Sequence, residues 1–236
     1  MSKAYLTIDD SPTKITPDIV NYLIEKGITP ILNFMGQRVD TCFDEAVYAV
    51  KRGAIIGNHS YSHKHFSELS LNDCLSEIQK TEYEIDRVYK AAGIERKYHF
   101  FRFPYGDKGG ENQKELQNMF RDEFHFDRLD DTNINFDWWK GNEYHLNKDI
   151  DLFWTFDFEE YKLPWRNGYT WDSILERIYD KNPVMGGVLL QNSATHIILM
   201  HDTEETNDYM HEYYRKIIDY VISLGVQFIQ PKFIIS

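Results

Sequence analysis

The stretch Ala4-Tyr5-Leu6-Thr7-Ile8-Asp9-Asp10-Ser11-Pro12 is a short apolar run that ends on two adjacent carboxylates. Such a run is typical of a strand that is covered on both faces in a parallel sheet, and Ser11-Pro12 marks its end. Successive side chains of a strand point to opposite faces, so Asp9 and Asp10 can serve one site only where the backbone bends. Taken alone, the pair is more typical of an acidic strand end that begins a turn.

Apolar runs of this kind recur along the chain. Together they predict strands at residues 4–9, 29–35, 54–59, 99–104, 151–156, 196–201 and 226–230. Helical patterns lie between them, at residues 17–26, 43–52, 71–92, 112–120, 171–180 and 205–222. Strand–helix alternation repeated this often indicates βαβ units and therefore an α/β fold with a parallel sheet or barrel.

Two of the predicted helices carry start signals. Thr16-Pro17-Asp18 puts proline at the first helical position of one of them. Ser70 with Asp73 resembles a capping box for the long helix over residues 71–92. These signals fix where the two helices are expected to begin.

Composition predicts a single domain, residues 1–236, because 42% of the residues are hydrophobic and no linker-like tract interrupts them. A net charge of −12, spread along the chain, disfavours nucleic acid and anionic membrane surfaces as partners. No apolar stretch approaches the roughly 18 residues of a membrane span, and no apolar leader is evident, so we expect a cytoplasmic protein without membrane insertion. Cys42 and Cys74 are expected to be buried thiols in amphipathic helices, in keeping with a reducing compartment.

Polar residues with catalytic chemistry lie at the same end of several predicted strands. In a parallel barrel, the carboxyl ends of the strands converge on one face, and active sites lie there. The residues at or just past these ends are Asp9, Asp10, His59, Arg102 and His201. Their common position is evidence for one site that does not depend on any family.

His59 and His63 are four residues apart, so on a helical turn they would share a face and chelate one metal. Adding Asp10 gives two nitrogens and one oxygen, which is typical of an open catalytic zinc site with room for water. Asp9 is then left over as a base. His65 is expected to be structural or exposed, because three ligands are already supplied.

The segment 107–150 is longer than usual for a connection between strands, and long loops of compact domains are often functional. It is rich in aromatic residues, namely Phe120, Phe124, Phe126, Phe136, Trp138, Trp139 and Tyr144. Two interpretations stay open for them: a small satellite core under the loop, or a wall on which a carbohydrate stacks.

The chain resembles the polysaccharide deacetylase domain, or NodB-homology domain, of carbohydrate esterase family four. The resemblance spans residues 4–202 and covers five motifs in order, which are Thr7-Ile8-Asp9-Asp10-Ser11-Pro12, His59-Ser60-Tyr61-Ser62-His63, Arg102-Phe103-Pro104-Tyr105, Trp154-Thr155-Phe156-Asp157-Phe158-Glu159-Glu160-Tyr161 and Leu199-Met200-His201. It implies a distorted (β/α) barrel with about seven parallel strands.

By this resemblance, a divalent metal is bound by Asp10, His59 and His63. The metal is expected to be zinc, with cobalt or nickel as substitutes. Asp9 is implied as the general base that takes the proton of the attacking water, and Arg102 would hold Asp9 ionised. The backbone N–H of Tyr105 would stabilise the oxyanion.

The resemblance also implies that His201 is the general acid for the departing amine. A free histidine has a pKa of about 6.5, so it needs a carboxylate neighbour, and by alignment that neighbour is Glu160. Asp202 is expected to point the other way. The substrate-binding residues are implied to be Tyr105, Trp154, Tyr161 and Leu199.

Three positions depart from the family pattern. Ser11 stands where glycine is usual and adds a Cβ near the metal. Glu160 is one methylene longer than the usual aspartate, which puts its reach to His201 in question. Tyr161 replaces tryptophan and makes the wall of the acetyl pocket smaller. None of the three removes a ligand, the base or the acid.

The expected function is therefore that of a metal-dependent deacetylase, a hydrolase acting on carbon–nitrogen bonds other than peptide bonds. It would remove the N-acetyl or O-acetyl group of an acetylated sugar, oligosaccharide or polysaccharide. Two alternatives stay open: a carbohydrate-binding pseudoenzyme, and a metal-free barrel amidohydrolase acting on small C–N substrates.

Overall fold

The computed structural model describes residues 1–146 and 148–235. Its strands are β1 (Lys3–Ser11), β2 (Ile31–Phe34), β3 (Ile55–Asn58), β4 (Arg128–Leu129), β5 (Phe156–Asp157), β6 (Thr195–His201), β7 (Gln227–Phe228) and β8 (Phe233–Ile234). Its α-helices are α1 (Thr16–Glu25), α2 (Gly36–Thr41), α3 (Phe43–Lys51), α4 (Leu71–Ala92), α5 (Gln113–Asp122), α6 (Asp137–Gly141), α7 (Trp171–Tyr179), α8 (Glu204–Tyr209) and α9 (Tyr213–Ser223).

The main sheet is parallel throughout and confirms the predicted α/β fold. Its strands run in the order β3-β2-β1-β6-β5, and β7 pairs with the first residues of β1. The short strands β4 and β8 form a separate antiparallel pair. Since β1 lies at the centre, its carboxyl end meets those of β2 and β6 on one side of the molecule.

Individual backbone hydrogen bonds extend the sheet from β3 back to β6, and the result is a distorted barrel. Phe101 forms an isolated parallel bridge with Asn58 of β3. The N–H of Leu152 then donates to the Phe101 carbonyl at 2.7 Å, and the N–H of Thr155 donates to Ile197 of β6 at 2.8 Å. The strand predicted over 99–104 is wrong, since that segment contributes only this bridge, and of the strand predicted over 151–156 only Phe156 lies in β5. Each segment links two neighbours instead of forming a ladder with one.

Alternate residues of β1 belong to two different cores. Ala4, Leu6 and Ile8 are buried against apolar side chains of α1, α3, α4, α7 and α9, outside the sheet. Tyr5 belongs to a second cluster, inside the barrel, that also holds Ile31 and Phe100. With both faces of the sheet covered, its strands read as continuous apolar runs.

Most aromatic residues of the segment 107–150 form buried clusters. Phe120 and Phe126 pack with Phe66, Phe101 and Phe103 in a third core, and Phe124 packs against it. Phe136 and Trp139 are buried in the interior cluster, whereas Trp138 and Tyr144 are only partly buried at its edge. The satellite-core interpretation is thus confirmed for most of them.

The predicted start of α4 is confirmed, α1 begins at Thr16, one residue before its predicted start, and the single helix predicted over 205–222 is wrong. Ser70 Oγ accepts a hydrogen bond from the N–H of Asp73 at 3.2 Å, as an N-cap does. The C-terminal helix is instead divided into α8 and α9, because Glu212 has a φ of 52° and its N–H bonds to Asn207 Oδ1. Among the described residues, no helix is both long and apolar enough to cross a bilayer.

Both cysteines are free and buried, as expected, although their surroundings differ. Cys74 lies in α4, as predicted. Cys42 instead lies at the junction between α2 and α3 and not within a helix, because its φ of −126° interrupts the helical backbone.

Candidate active site

The carboxylates of Asp9 and Asp10 reach the same site because the backbone of β1 bends at its end. Asp10 has a φ of 65°, in the left-handed region, and the pairing of β1 with β2 shifts register between Ile8 and Ser11. As a result, Asp9 Oδ2 and Asp10 Oδ1 lie 3.6 and 3.7 Å from the same atom, Nε2 of His59. The strand-end bend that the pair requires is therefore present.

His59 and His63 face each other at a ring-centroid distance of 4.9 Å. The expectation that a helical turn brings them together is wrong, because residues 59–65 contain no helix. Instead, Ser60 and His63 both adopt a left-handed φ, of 63° and 56°. Backbone conformations of this kind are costly, persist only where the surrounding structure enforces them, and cluster at functional sites.

The arrangement of Asp10, His59 and His63 fits a divalent metal. His59 Nδ1 lies 2.8 Å from the Arg102 carbonyl oxygen, which leaves Nε2 with its lone pair. Asp10 Oδ1 is buried without a hydrogen-bond partner among the described residues, 3.3 Å from His63 Nε2. Burial, helped by the neighbouring His59, lowers the pKa of His63 to about 4, so its imidazole is neutral, as a ligand must be.

Asp9 is held as a buried carboxylate. Its Oδ1 accepts hydrogen bonds from Arg102 Nη1 at 2.8 Å and from Asn33 Nδ2 at 2.6 Å. Burial alone would raise the pKa of Asp9, but the charge of Arg102, with smaller contributions from His59 and His201, holds it below its usual value. Asp9 is therefore ionised at neutral pH.

Arg102 is completely buried and is fixed by contacts beyond Asp9. Its Nη1 also donates to Thr7 Oγ1 at 2.7 Å, and its Nε donates to the Leu152 carbonyl at 3.0 Å. The guanidinium thus ties the carboxyl half of β1 to the segment that closes the barrel. A surface salt bridge, the default for a lone arginine at a strand end, does not describe it.

His201, at the end of β6, lies beside two carboxylates. Its Nδ1 is 3.2 Å from Glu160 Oε1, and the same oxygen accepts its backbone N–H. Burial opposes protonation, but Glu160 and, more weakly, Asp157 raise the pKa of His201 to about 10. The longer side chain of Glu160 therefore does reach the histidine, and the imidazole is charged at neutral pH.

The side chain of Asp202 points away from His201, as expected. Its contact with Ser11 accounts for the serine at that position. The carboxylate of Asp202 accepts hydrogen bonds from Ser11 Oγ at 3.0 Å and from Thr13 Oγ1 at 2.6 Å, and a third from Thr16 Oγ1. Burial raises the pKa of Asp202 to about 6 despite these donors. The hydroxyl of Ser11 is thus engaged on the side of β1 away from the metal ligands.

The predicted substrate-binding residues surround this cluster. Tyr105, with a φ of 58° and 59% exposure, has its ring 4.5 Å from that of His63. The ring of Tyr161 lies 4.5 Å from that of His201, and Leu199 is buried two residues before His201 on the same strand face. Trp154 lies 5.7 Å from the guanidinium of Arg102.

His65 is half exposed, as expected, and contacts Tyr105 and Asp107. Its ring stacks on that of Tyr105 at 4.0 Å, and its Nδ1 lies 3.2 Å from Asp107. His65 therefore orients the exposed Tyr105 ring.

Sequence reasoning missed several residues that support the site. Asn33 and Asn58 lie at the ends of β2 and β3, so the strand-end rule could have found them. Asn58 Oδ1 accepts the N–H of Ser60 at 2.9 Å. Glu77 of α4 accepts both the N–H and the hydroxyl of Ser62, at 2.7 and 2.9 Å. The only signal of Glu77 in the sequence was a carboxylate next to the apolar face of a helix.

Parts of the chain match known proteins. The family described as polysaccharide deacetylase matches residues 2–120, half of the chain. A peptidoglycan-N-acetylglucosamine deacetylase of Bacillus cereus is 30% identical over 103 residues, which are 43% of this chain and 36% of that protein. The chain thus matches about a third of the length of this curated relative.

Solved structures share the fold. The Bc1960 peptidoglycan N-acetylglucosamine deacetylase is 19% identical, with a TM-score of 0.60 over 96% of this chain and 85% of that one. BA3943, described as a CE4 family pseudoenzyme from Bacillus anthracis, is 22% identical, with a TM-score of 0.58 over 96% of this chain and 63% of that one. The match to the polysaccharide deacetylase family over half of this chain shows that the chain belongs to that family.

Proposed function

We propose that this protein is a metal-dependent deacetylase that hydrolyses the acetamide of an N-acetylated sugar to a free amine and acetate. The observation that carries the proposal is the placement of two oppositely paired groups beside one candidate metal site. Asp9 lies 2.8 Å from Arg102, and His201 lies 3.2 Å from Glu160, and these neighbours favour a carboxylate on Asp9 and an imidazolium on His201. Hydrolysis of an amide needs such a base and such an acid together.

Asp10, His59 and His63 would hold the metal, for which the two nitrogens and one carboxylate oxygen favour zinc, with cobalt or nickel as substitutes. When bound, the metal supplies a Lewis acid and lowers the pKa of water towards neutrality. The protein contributes the orientation of the ligands, since the Arg102 carbonyl fixes the ring of His59.

Asp9 acts as the general base. Its Oδ1 is occupied by Arg102 and Asn33, which leaves Oδ2 to take a proton from the attacking water. The two donors hold the carboxylate in one orientation, so little reorganisation accompanies the proton transfer. The carbonyl carbon gains the water oxygen, and the backbone N–H of Tyr105 stabilises the oxyanion that forms.

His201 acts as the general acid. Its Nδ1 is tied to Glu160, so Nε2 is the atom that gives a proton to the nitrogen of the sugar as the C–N bond breaks. Tyr161 and Leu199 form the wall for the acetyl methyl, and Trp154 lies beside them. An O-acetyl ester would be cleaved by the same groups, because the attack on the carbonyl is unchanged.

The substrate is an acetylated carbohydrate, in keeping with the name of the curated relative. The acidic chain, with a net charge of −12, has no preference for an anionic polymer. A cytoplasmic location stays a prediction of the sequence, and it favours a small or lipid-linked sugar. Cell fractionation with an antibody to the full chain tests the location.

Acetate release tests the function. The protein is stripped with chelator, reloaded with zinc or cobalt, and given N-acetyl chito-oligosaccharides, N-acetyl monosaccharides and acetylated xylan. Release that depends on the metal supports the proposal, and Asp9→Asn serves as the inactive control. Release from the stripped protein would instead identify a metal-free amidohydrolase. Stoichiometric metal without release, together with binding of these sugars in a sugar-binding assay, would identify a sugar-binding pseudoenzyme.

A further inference from the structure

Arg38 of the short helix α2 joins two of the strand ends that carry the candidate active site. Its Nη1 donates to the backbone carbonyl of Asp10 and, at 3.2 Å, to that of Asp202. Asp10 is a proposed metal ligand, and Asp202 directly follows His201, the proposed acid. We infer that Arg38 is a positioning residue that sets the separation between the metal site and the general acid, an inference that rests on the proposed function. Arg38 belongs to none of the five family motifs.

Arg38 acts just beyond the last backbone hydrogen bond between β1 and β6. The two strands pair in register up to Asp9 and His201, and the N–H of Asp202 donates to the Asp9 carbonyl at 2.8 Å. The register ends there, where Asp10 turns into the left-handed region with a φ of 65°. The guanidinium then joins the next carbonyl of each strand, so it takes the place of a further rung.

Both acceptors of Arg38 are backbone carbonyl oxygens, so the contact fixes the main chain at the two strand ends. Hydrogen bonds with a charged donor are roughly twice as strong as neutral ones. The left-handed φ of Asp10 is costly and persists only where the surrounding structure enforces it. The charge of Arg38 therefore stabilises the bend that brings the Asp10 carboxylate beside the two metal-binding imidazoles.

The helix that carries Arg38 is also fixed to the loop of the histidine ligands. The N–H groups of Gly36 and Gln37 donate, at 3.0 Å each, to the carbonyls of the two residues that follow His59. A Cβ on Gly36 would lie 2.6 Å from the ring of Tyr61, so this close approach favours glycine. Helix α2 therefore contacts the ends of β1, β3 and β6 together, and Arg38 supplies its contact to β6.

The separation matters because the two halves of the site act on the two atoms of one C–N bond. Water attacks the carbonyl carbon at the metal, while His201 gives a proton to the nitrogen. A displacement of about 1 Å in such an arrangement can lower a rate by roughly 10²-fold. Without the guanidinium, the ends of β1 and β6 lose a shared donor, whereas Trp154 and Tyr161 stay beside the acetyl group. The loss is therefore expected in kcat and not in KM.

The test compares the zinc-loaded full chain with Arg38→Met, which keeps an unbranched side chain and removes the guanidinium. We expect kcat for acetate release from N-acetyl chito-oligosaccharides to fall by roughly 10- to 100-fold, with KM nearly unchanged. Arg38→Lys should recover part of this loss, because an ammonium also donates to carbonyls. Arg121→Met is the matched control, since Arg121 of α5 donates to the carbonyl of Lys148.

A double-mutant cycle with His201→Ala separates positioning of the acid from a general loss of stability. If Arg38 sets the place of the acid, Arg38→Met should lower kcat much less in the His201→Ala background than in the wild type. Two losses that multiply in full would overturn the inference, and so would an unchanged kcat in Arg38→Met. In both cases the deacetylase itself would stand.

Histidine side-chain NMR of the zinc-loaded protein gives a readout without turnover. Arg38→Met should shift the ring resonances of both His63 and His201, because the strand ends beside them lose the same donor, and Arg121→Met should shift neither. A shift at only one ring, or at none, would overturn the inference. If Arg38→Met fails to fold, Arg38→Lys is judged in the same way, with smaller shifts expected at both rings. If the wild type releases no acetate, the proposed function fails, and the ring resonances alone decide whether Arg38 links the two strand ends.

Discussion

Glu160 Oε1 lies 3.2 Å from His201 Nδ1 and also accepts the backbone N–H of the same histidine. The side chain that departs from the family pattern thus makes two contacts to the proposed acid. Glu160 is completely buried, and its Oε2 has no hydrogen-bond partner in the described part of the chain. Its carboxylate therefore contacts His201 although it is one methylene longer than the aspartate usual in the family.

Glu160→Gln should shift the alkaline limb of the pH–rate profile downward. The pKa of His201 is raised to about 10 chiefly by Glu160 against the effect of burial. With a neutral amide, the imidazolium loses most of this support and deprotonates at lower pH, so activity falls earlier as pH rises. The measurement is kcat against pH. An unchanged alkaline limb would remove Glu160 from this role.

Asp9→Asn should keep the metal and lower kcat by roughly 10²–10⁴-fold, the usual share of a general base. The reason is that Asp9 Oδ1 contacts Arg102 and Asn33 and is not needed as a ligand. Asp10→Asn is the matched comparison and should lose the metal, because Asp10 Oδ1 lies between the two imidazoles. Metal content and acetate release are measured for both. Metal loss in Asp9→Asn would show that the roles of the two aspartates are assigned wrongly.

His201→Ala should also keep the metal and lose most turnover, since the leaving amine would depart without a proton. A substrate with a better leaving group, such as an acetate ester of a phenol, should be affected less. The ratio of the two activities is the measurement. Equal losses on both substrates would argue against proton donation by His201.

Glu77→Gln should weaken metal binding by roughly 10- to 100-fold, as changes to groups that orient ligands do. Glu77 holds the N–H and the hydroxyl of Ser62, next to the left-handed His63. The amide can accept only one of these bonds well, so the loop is less fixed. Asp86→Asn on the exposed face of the same helix is the control. Zinc affinity by competition with a chelator is measured, and equal affinities in the two variants would contradict the proposal.

Ser11→Ala should lower the free energy of unfolding by about 1 kcal/mol, the typical value of one buried hydrogen bond. Ser11 Oγ donates to Asp202, whose buried carboxylate loses a donor in the variant. Ser11→Gly, which restores the residue usual in the family, should cost more because it also frees the unfolded backbone. Denaturant unfolding measures both. Zinc content should be unchanged, since the hydroxyl faces away from the ligands.

The sequence predicted the sheet well because buried parallel strands have a strong local signal. The predictions over 4–9 and 196–201 lie within strands of the main sheet, and those over 29–35 and 54–59 each contain one of its strands. The segments 99–104 and 151–156 were harder, because their hydrogen bonds are decided by partners far away in the chain. The break between α8 and α9 was also missed, although its contact is local, between the N–H of Glu212 and Asn207 Oδ1.

The sequence by itself determined the chemical groups of the site, because strand ends of a parallel sheet must meet on one face. Only the tertiary structure decided how those groups are aimed. The left-handed backbones of Asp10 and Ser60 are held by contacts from α2, because Arg38 donates to the Asp10 carbonyl and the N–H of Gly36 donates to the Ser60 carbonyl. The charge states of Asp9 and His201 likewise depend on Arg102 and Glu160, which lie far from them in sequence. Burial and distance set a pKa, and both arise only when the chain has folded.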